Sequence, residues 1–413
     1  MTTITVSRYD DAFATLRVRD LAQALYDEGA VIMEGVLLTL HGKAHRDRRR
    51  LENRVFRREI FRYYEREVIP RTIERSIAPF VARGHADLVA LGYRVTMNLT
   101  ADFAGIDRPN QTSEETEALL ALVVKFSEGA TLVHSTRDHE QVRAEVRDAL
   151  GEFDRIFLQP SIARRRELLA RMERGDIDET ELPKDVLTVL LRNEERLPLP
   201  EDLLRREIAF YLQAGSHSTA NSVTHAMHEI FEWCDSHTED VARLEAEPLF
   251  LQRCIHESMR LHPASPVAWR KPVCPVELPS GQSVGDGDKV VVDMCAANTD
   301  PAVFGDDAAE FNPHRSLAHG VQPFGLTFGG GIHACPGQDL DGGAVPKSES
   351  RDAPAASLEE HLFGTVFLLV ESLRGRGARR DPARPPERDA RTRRSNWGRY
   401  FVIFGDAGEP VGT

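Results

Sequence analysis

A glycine-rich segment that leads into a cysteine constrains the fold more than any other part of this 413-residue chain. Residues 328–337 read FGGGIHACPG. Because glycine has no Cβ atom, such a run lets the backbone turn sharply and approach a flat ligand closely. Cys335, held in that turn, can stay a thiolate if a metal binds to it. The alternative is a glycine-rich turn with an incidental buried cysteine. A zinc site is disfavoured, because His333 and Cys335 have no second ligand pair at zinc spacing.

Composition narrows the classes of protein. The formal net charge of −13 argues against a nucleic-acid partner, for which a basic stripe is expected. The length alone suggests two or three domains, but the sequence shows no Gly/Ser linker, long charge block or internal repeat, so one large domain is equally compatible. The longest apolar run near the N-terminus, around 36–38, is too short to span a bilayer and follows no signal peptide. The 5 cysteines form no C-x-x-C pair. We therefore expect a soluble protein of the reducing cytoplasm, with no membrane partner.

Hydrophobic periodicity predicts a mainly α fold with a minor β part. Apolar residues three or four apart predict helices over 113–128, 138–172, 184–192 and 201–233. Segments typical of strands lie at 273–278, 289–295 and 400–404. Ser357-Leu358-Glu359-Glu360 matches a capping box and predicts a helix from Ser357 to about Arg374.

The cysteine segment resembles the haem-binding loop of the cytochromes P450. The positions that match this loop one by one are Phe328, Gly331, His333, Cys335 and Gly337. The resemblance implies a single domain over 1–413 with a cytochrome P450 fold. That domain would bind haem b (iron protoporphyrin IX) between the 201–233 helix and the 328–340 cysteine loop. Cys335 would then supply the thiolate ligand of the iron.

Two further segments extend the resemblance. Glu257-Ser258-Met259-Arg260 is similar to the family's Glu-x-x-Arg helix, in which a spacing of three residues lets the two side chains meet. Phe311-Asn312-Pro313-His314-Arg315 is similar to the family's meander segment. The resemblance implies a buried network of Glu257, Arg260 and Arg315 that braces the cysteine loop and does no chemistry.

The resemblance also implies which residues bind the two haem propionates. Cationic and bidentate donors are the physical match for buried carboxylates. The matching donors are the His-x-x-x-Arg pair His45 and Arg49, together with Arg270 and His333. For three neighbouring arginines we expect a solvated basic helix face instead: Arg46, Arg48 and Arg50.

The centre of the 201–233 helix is similar to the family's oxygen-binding kink. Residues 214–219 read AGSHST, where a helix prefers Ala, Leu or Glu. Gly215 matches the kink glycine, His217 stands at the acid position, Ser218 at the threonine position, and Thr219 follows. We name these four residues as candidate catalytic residues, because hydroxyls can hold a water and a histidine titrates near neutrality. The alternative is a histidine that only packs between helices.

The resemblance implies an oxidoreductase, a monooxygenase that inserts one oxygen atom from O2 into a small, mainly apolar organic substrate in secondary metabolism. The sequence has no flavin or nicotinamide fingerprint, so the resemblance implies ferredoxin and ferredoxin reductase as electron donors. Two alternatives stay open. One is a haem-thiolate enzyme that uses peroxide or catalyses oxidative coupling or rearrangement, and the other is a haem-binding protein without turnover.

The resemblance further implies a pocket and two departures from the family pattern. The expected pocket walls are 31–40, 125–135, 210–218, 264–269 and the turn at Asn396-Trp397. Val6–Asp11 resembles a strand of the family's small sheet, which implies that the N-terminal helix and part of that sheet are missing. The polar segment 341–356 splits the helix after the cysteine, and we expect it on the face where the electron donor docks.

Overall fold

A computed structural model describes residues 2–110, 112–346 and 358–405. The fold is mainly helical, as the sequence predicts. The helices in chain order are α1 (Tyr9–Thr15), α2 (Ala30–Met33), α3 (Gly42–Glu52), α4 (Arg58–Tyr63), α5 (Ile69–Val81), α6 (Leu88–Ala104), α7 (Ser113–Ala130), α8 (His139–Phe153), α9 (Gln159–Glu173), α10 (Val186–Arg192), α11 (Glu201–Ser236), α12 (Val241–Ala246), α13 (Pro248–Leu261), α14 (Met294–Asn298), α15 (Pro301–Phe304), α16 (Gln338–Asp341) and α17 (Thr365–Arg374). Over these three ranges, no helix has the length and apolar character that a membrane crossing requires.

The strands form small sheets. They are β1 (Thr3–Val6), β2 (Leu21–Gln23), β3 (His85–Asp87), β4 (Val267–Pro272), β5 (Val276–Glu277), β6 (Ser283–Val284), β7 (Lys289–Asp293), β8 (Arg379–Arg380), β9 (Glu387–Arg388), β10 (Trp397–Arg399) and β11 (Phe401–Ile403). A four-stranded sheet has the order β1-β7-β4-β2, with β1 parallel to β7 and the other pairs antiparallel. A three-stranded sheet has the order β3-β11-β8, and β5–β6 and β9–β10 are two-stranded.

Strong periodicity located the long helices correctly. The predictions over 113–128, 184–192 and 201–233 are confirmed by α7, α10 and α11. The prediction over 138–172 is confirmed by α8 and α9, which are joined by a π turn. At 36 residues, α11 is roughly 54 Å long.

The predicted helix start at Ser357 is wrong. Ser357 lies outside the described residues, but Leu358–Glu360 is not helical and α17 begins only at Thr365. Glu360 instead forms ion pairs with Arg62 and Arg66 of a neighbouring segment. The end of this helix at Arg374 is confirmed. Most of the predicted polar insert, residues 347–356, also lies outside the described residues.

The strand predictions hold in part. The prediction for 400–404 is confirmed by β11. Within 273–278 only Val276–Glu277 is a strand. The longer strand β4 ends just before this segment, at Pro272. The 289–295 strand ends at Asp293, whose side chain caps the next helix by accepting from the Ala296 N–H. The strand resemblance at Val6–Asp11 is displaced, since β1 ends at Val6 and α1 follows.

The middle of α11 lies close to α6. Thr96 of α6 donates its hydroxyl to the Ser216 carbonyl at 3.0 Å, and Thr100 and Ser216 share a hydroxyl hydrogen bond of 2.6 Å. A Cβ atom at Gly215 would overlap the Thr100 side chain. Gly215 therefore permits the close approach of the two helices, which fixes one wall of the central cavity.

Candidate active site

The cysteine loop is a tight turn that glycines make possible. Gly329 and Gly331 have φ of +68° and +66°, a region that favours glycine. A Cβ atom at Gly331 would also overlap the Leu16 carbonyl oxygen. The Cys335 N–H donates to the Phe328 carbonyl at 2.9 Å and closes the turn. The sulfur of Cys335 is thereby presented at the end of the loop.

The predicted Glu–Arg–Arg network is present and buried. Arg260 binds both carboxylate oxygens of Glu257, at 2.8 and 2.6 Å, and Arg315 Nε binds the same carboxylate at 3.1 Å. Arg260 is fully buried. Bidentate ion pairs of this kind fix geometry as well as contributing energy.

Asn298 links this network to the cysteine loop. Its side-chain amide donates to the Arg260 carbonyl at 3.0 Å and to Thr327 Oγ1 at 3.1 Å. Its side-chain oxygen accepts from the Leu326 N–H at 2.7 Å. The network therefore holds the start of the loop that carries Cys335.

An internal cavity of about 360 Å³ lies between α11 and the cysteine loop. Of the candidate site residues, those that line it are His45, Arg49, Gly215, Ser218, Thr219, Arg270, Phe328, His333, Cys335 and Gly337. Gly331 and His217 are not among the described lining residues. Cys335 has exposed surface, yet protein surrounds it, because that surface faces the cavity.

The environment of Cys335 disfavours a free thiolate. Burial raises the pKa of its thiol to about 11, against the lowering effect of a hydrogen bond from the Gly337 N–H. Metal binding deprotonates a thiol, so a bound cation would reverse this preference. A sulfur aimed into a cavity in this way suits a metal ligand better than a core packing residue.

Four basic side chains surround the cavity with unused donor capacity. Arg270 is buried, donates to the neutral Gln23 side chain at 2.6 Å, and has its pKa lowered to about 10 by burial. His45 Nε2 and both ring nitrogens of His333 are buried and have no partner in the described part of the chain. Arg49 spans the gap to the loop by donating to the Ala334 carbonyl at 2.9 Å. These residues fit a planar group with two carboxylates, as haem has.

Arg48 corrects one expectation. It does not lie on a solvated face but is buried, and its Nη1 donates to Glu207 at 2.7 Å and lies 3.8 Å from Glu52. Burial raises the pKa of Glu207 to about 7 and that of Glu52 well above its usual range. Residues two positions apart lie on different faces of a helix. Arg48 therefore faces α11, whereas Arg46 and Arg50 are exposed.

The candidate catalytic residues fall into two environments. Ser218 lines the cavity and donates its hydroxyl to the Ala214 carbonyl at 2.6 Å. Thr219 also lines the cavity and donates to Asp341 at 2.5 Å. The His217 ring instead reaches back to α6, where its Nδ1 is hydrogen-bonded to the Tyr93 hydroxyl.

Sequence reasoning missed Asp341. This carboxyl is surrounded by protein at the cavity wall, and burial raises its pKa to about 6. The sequence pattern groups it with the polar segment 341–356, because no local pattern shows that the segment after Cys335 folds back against α11. Only the tertiary contact with Thr219 identifies it.

The cavity walls are mainly apolar, but they differ from the expected set. Expected lining residues that the structure places there are Leu37, Leu38, Phe210, Val267 and Ala268. The residues of 125–135 and the Asn396-Trp397 turn do not line it in the described structure. Ile32 and Met33 are fully buried in the hydrophobic core instead, because α2 turns them away from the cavity.

Comparison with known proteins agrees with this geometry. The family model described as cytochrome P450 matches residues 157–340. Cytochrome P450 monooxygenase 91 of Postia placenta is 26% identical, with 73% of this chain and 68% of that protein covered. Alkane hydroxylase MAH1 of Arabidopsis thaliana is 27% identical over a stretch that covers 48% of this chain. The same stretch covers only 42% of the hydroxylase. The crystal structure of CalO2 superposes with a TM-score of 0.72 and 20% identity, covering 98% of this chain and 91% of that one.

The fold and the cysteine-centred cavity fit the class of haem-iron proteins that the comparisons indicate. The chain is similar to the cytochromes P450: their family model matches residues 157–340, and the fold is that of the CalO2 structure. The sequence predicts a P450 monooxygenase. The Postia placenta relative carries the name of the same enzyme class.

Proposed function

We propose that this protein is a haem-thiolate monooxygenase that oxidises a small, mainly apolar organic molecule. The observation that carries the proposal is the placement of the Cys335 sulfur, four basic side chains and the hydroxyls of α11 around one apolar cavity. Ligand sites are typically concave and apolar with a few convergent polar groups. When bound, haem b would supply the activation of O2 and its insertion into the substrate.

The chain's own residues would hold the haem by opposite charges. Cys335 would bind the iron, with the Gly337 N–H donating to its sulfur. Arg270 and Arg49 would donate to the propionates. His45 and His333, whose pKa values burial lowers, would each donate one ring N–H, which would satisfy one unpartnered nitrogen of each ring. Charge-assisted hydrogen bonds of this kind are roughly twice as strong as neutral ones.

The residues of α11 would manage protons on the opposite side of the cavity. The Ser218 hydroxyl can hold a water, since its own proton is donated to the Ala214 carbonyl. Thr219 donates to Asp341, whose pKa of about 6 lets it gain or lose a proton near neutrality. The part of His217 in proton movement stays a prediction, because its ring is bonded to Tyr93.

The apolar wall would orient the substrate and exclude water. Leu37, Phe210, Val267 and Ala268 contribute to this wall. We further propose external electron donors of the ferredoxin and ferredoxin reductase type, a cytoplasmic location and a role in secondary metabolism.

The test is turnover with isotopically labelled O2. The holoprotein is screened against a compound panel for substrate-induced changes of the ferric spectrum, and compounds that respond are incubated with ferredoxin, its reductase and ¹⁸O2. One labelled oxygen atom in the product supports a monooxygenase. Product formed only with added peroxide would favour the peroxide-using alternative, and a thiolate spectrum without any response or product would indicate haem binding without turnover.

A further inference from the structure

Arg394 is a half-buried cation that protein surrounds and that forms no ion pair in the described part of the chain. It lies in the loop between β9 and β10, and its guanidinium donates to the Ala264 carbonyl at 3.3 Å and to the Thr131 hydroxyl at 3.0 Å. Its Nε also donates to Thr392 Oγ1 at 3.4 Å, and all three acceptors are neutral. The charge of Asp389 acts on the pKa of Arg394, but the two side chains form no ion pair. Burial lowers the pKa of Arg394. A buried charge without a counter-charge is costly, so this arrangement needs a reason.

The loop that carries Arg394 is fixed in place. The Arg393 N–H donates to the His134 carbonyl at 2.8 Å, and the Thr136 N–H donates to the Arg391 carbonyl at 3.0 Å. Asp389, the acid in this loop, is already bonded through both oxygens by Arg391, at 3.0 and 3.1 Å. The loop therefore holds Arg394 against the segment after α7, and Asp389 acts on Arg394 only through space, without a hydrogen bond or ion pair.

Two histidines beside Arg394 also lack partners for one nitrogen each. The Nε2 atoms of His134 and His217 are buried and have no partner in the described structure. Burial, and then the positive charge of Arg394, lower the pKa of both residues, so both are neutral at pH 7. The Tyr93 hydroxyl, whose pKa burial raises to about 12, is hydrogen-bonded to His217 Nδ1. In the tautomer in which Tyr93 donates, the ring proton of His217 lies on Nε2 and is a free donor.

This group meets the cavity through Tyr26, since Arg394, Tyr93, His134 and His217 are not among the lining residues in the described structure. Tyr26 and Ala264 line it, and Ala264 is the residue whose carbonyl Arg394 binds. Burial raises the pKa of Tyr26, and the hydroxyl is close enough to Arg270 and Arg394 for both charges to lower that pKa. We call Tyr26, Tyr93, His134, His217 and Arg394 the Arg394 cluster.

We infer that the Arg394 cluster binds a carboxylate at one end of an otherwise apolar substrate. A carboxylate matches the planar guanidinium fork, supplies the missing negative charge and accepts from the histidine and tyrosine donors. The apolar remainder of the molecule suits the walls formed by residues such as Leu38, Phe210 and Val267. The inference rests on the proposed function, because it names the substrate class of the same cavity.

The experiment compares acids with their methyl esters on the holoprotein. The probes are decanoate, 4-phenylbutanoate and a panel of other aliphatic and aryl carboxylates, and binding is measured both by the ferric difference spectrum and by calorimetry. We expect acids to bind more tightly than their esters, and R394Q to weaken acid binding on the order of 10- to 100-fold, the usual value of a charge-assisted hydrogen bond. The ester affinities should change little. R393Q is the matched control, since Arg393 is an exposed arginine of the same loop and its loss removes the same charge.

Several results would overturn the inference. One is a panel in which no acid binds better than its ester, which needs no variant and stands even if R394Q fails to fold. Another is an equal loss of acid binding in R394Q and R393Q. A third is loss of haem in R394Q with the acid preference intact, which would assign Arg394 to the propionates. A failure of the proposed function is recognised separately, as a reduced carbon-monoxide spectrum without the thiolate signature.

Discussion

Breaking the Glu257 network should be costly, and the structure sets the size of the loss. In Glu257→Gln, Arg260 keeps only neutral carbonyl acceptors, those of Asn298, Ala308 and Glu310. Arg315 keeps an acid, because Asp307 also pairs with it. One buried cation is therefore left uncompensated, and we expect a loss of about 3 kcal/mol in unfolding free energy, the lower end of the range for broken buried pairs.

The assay is urea unfolding followed by circular dichroism, with haem retention measured in parallel. The matched control is Glu247→Gln, which breaks the pair of Glu247 with Arg243, at 3.0 Å, on an exposed helix face. That pair should contribute less than about 1 kcal/mol. Equal losses in the two variants would refute the reasoning, because the burial of Arg260 would then carry no energetic weight.

Three further predictions concern the cavity. Burial raises the pKa of Asp341 to about 6, so ionising this carboxyl costs stability as the pH rises from 4 to 6. Asp341→Asn should therefore be more stable than wild type by about 3 kcal/mol at pH 7, and a stability difference that does not change with pH would contradict this. Pro336→Leu should raise the reduction potential, because leucine adds an N–H beside a sulfur that already accepts from Gly337; an unchanged potential would leave proline as a stiffener of the loop. His217→Ala should lower the coupling of electron use to product, and equal coupling across pH 6–8 would assign His217 to packing or to ligand binding alone.

Local patterns predicted the long helices and the cysteine loop. The periodicity of α11 and the glycines of the loop act within a few residues of one another, so sequence alone carries them. The family motifs likewise placed Glu257, Arg260 and Arg315 in one network.

Features that depend on tertiary contact could not be predicted in the same way. Arg48 is indistinguishable in sequence from its exposed neighbours, and only the approach of α11 makes it a buried partner of Glu207. Asp341 and Arg394 are charged residues in polar segments, which local reasoning assigns to the surface. The start of α17 at Thr365 is set by packing after Gly364, where a Cβ atom would overlap the Gly343 backbone, and not by the capping box before it.

The central claim is that Cys335 is the thiolate ligand of a haem iron. Its most direct test is the carbon-monoxide difference spectrum of the reduced protein, compared among wild type, Cys335→Ser, Cys335→His and the control Cys274→Ser, which alters an exposed cysteine. The account predicts the thiolate signature in wild type and in Cys274→Ser, and its loss in both Cys335 variants. A Cys335 variant that binds haem and keeps the wild-type Soret maximum would contradict it.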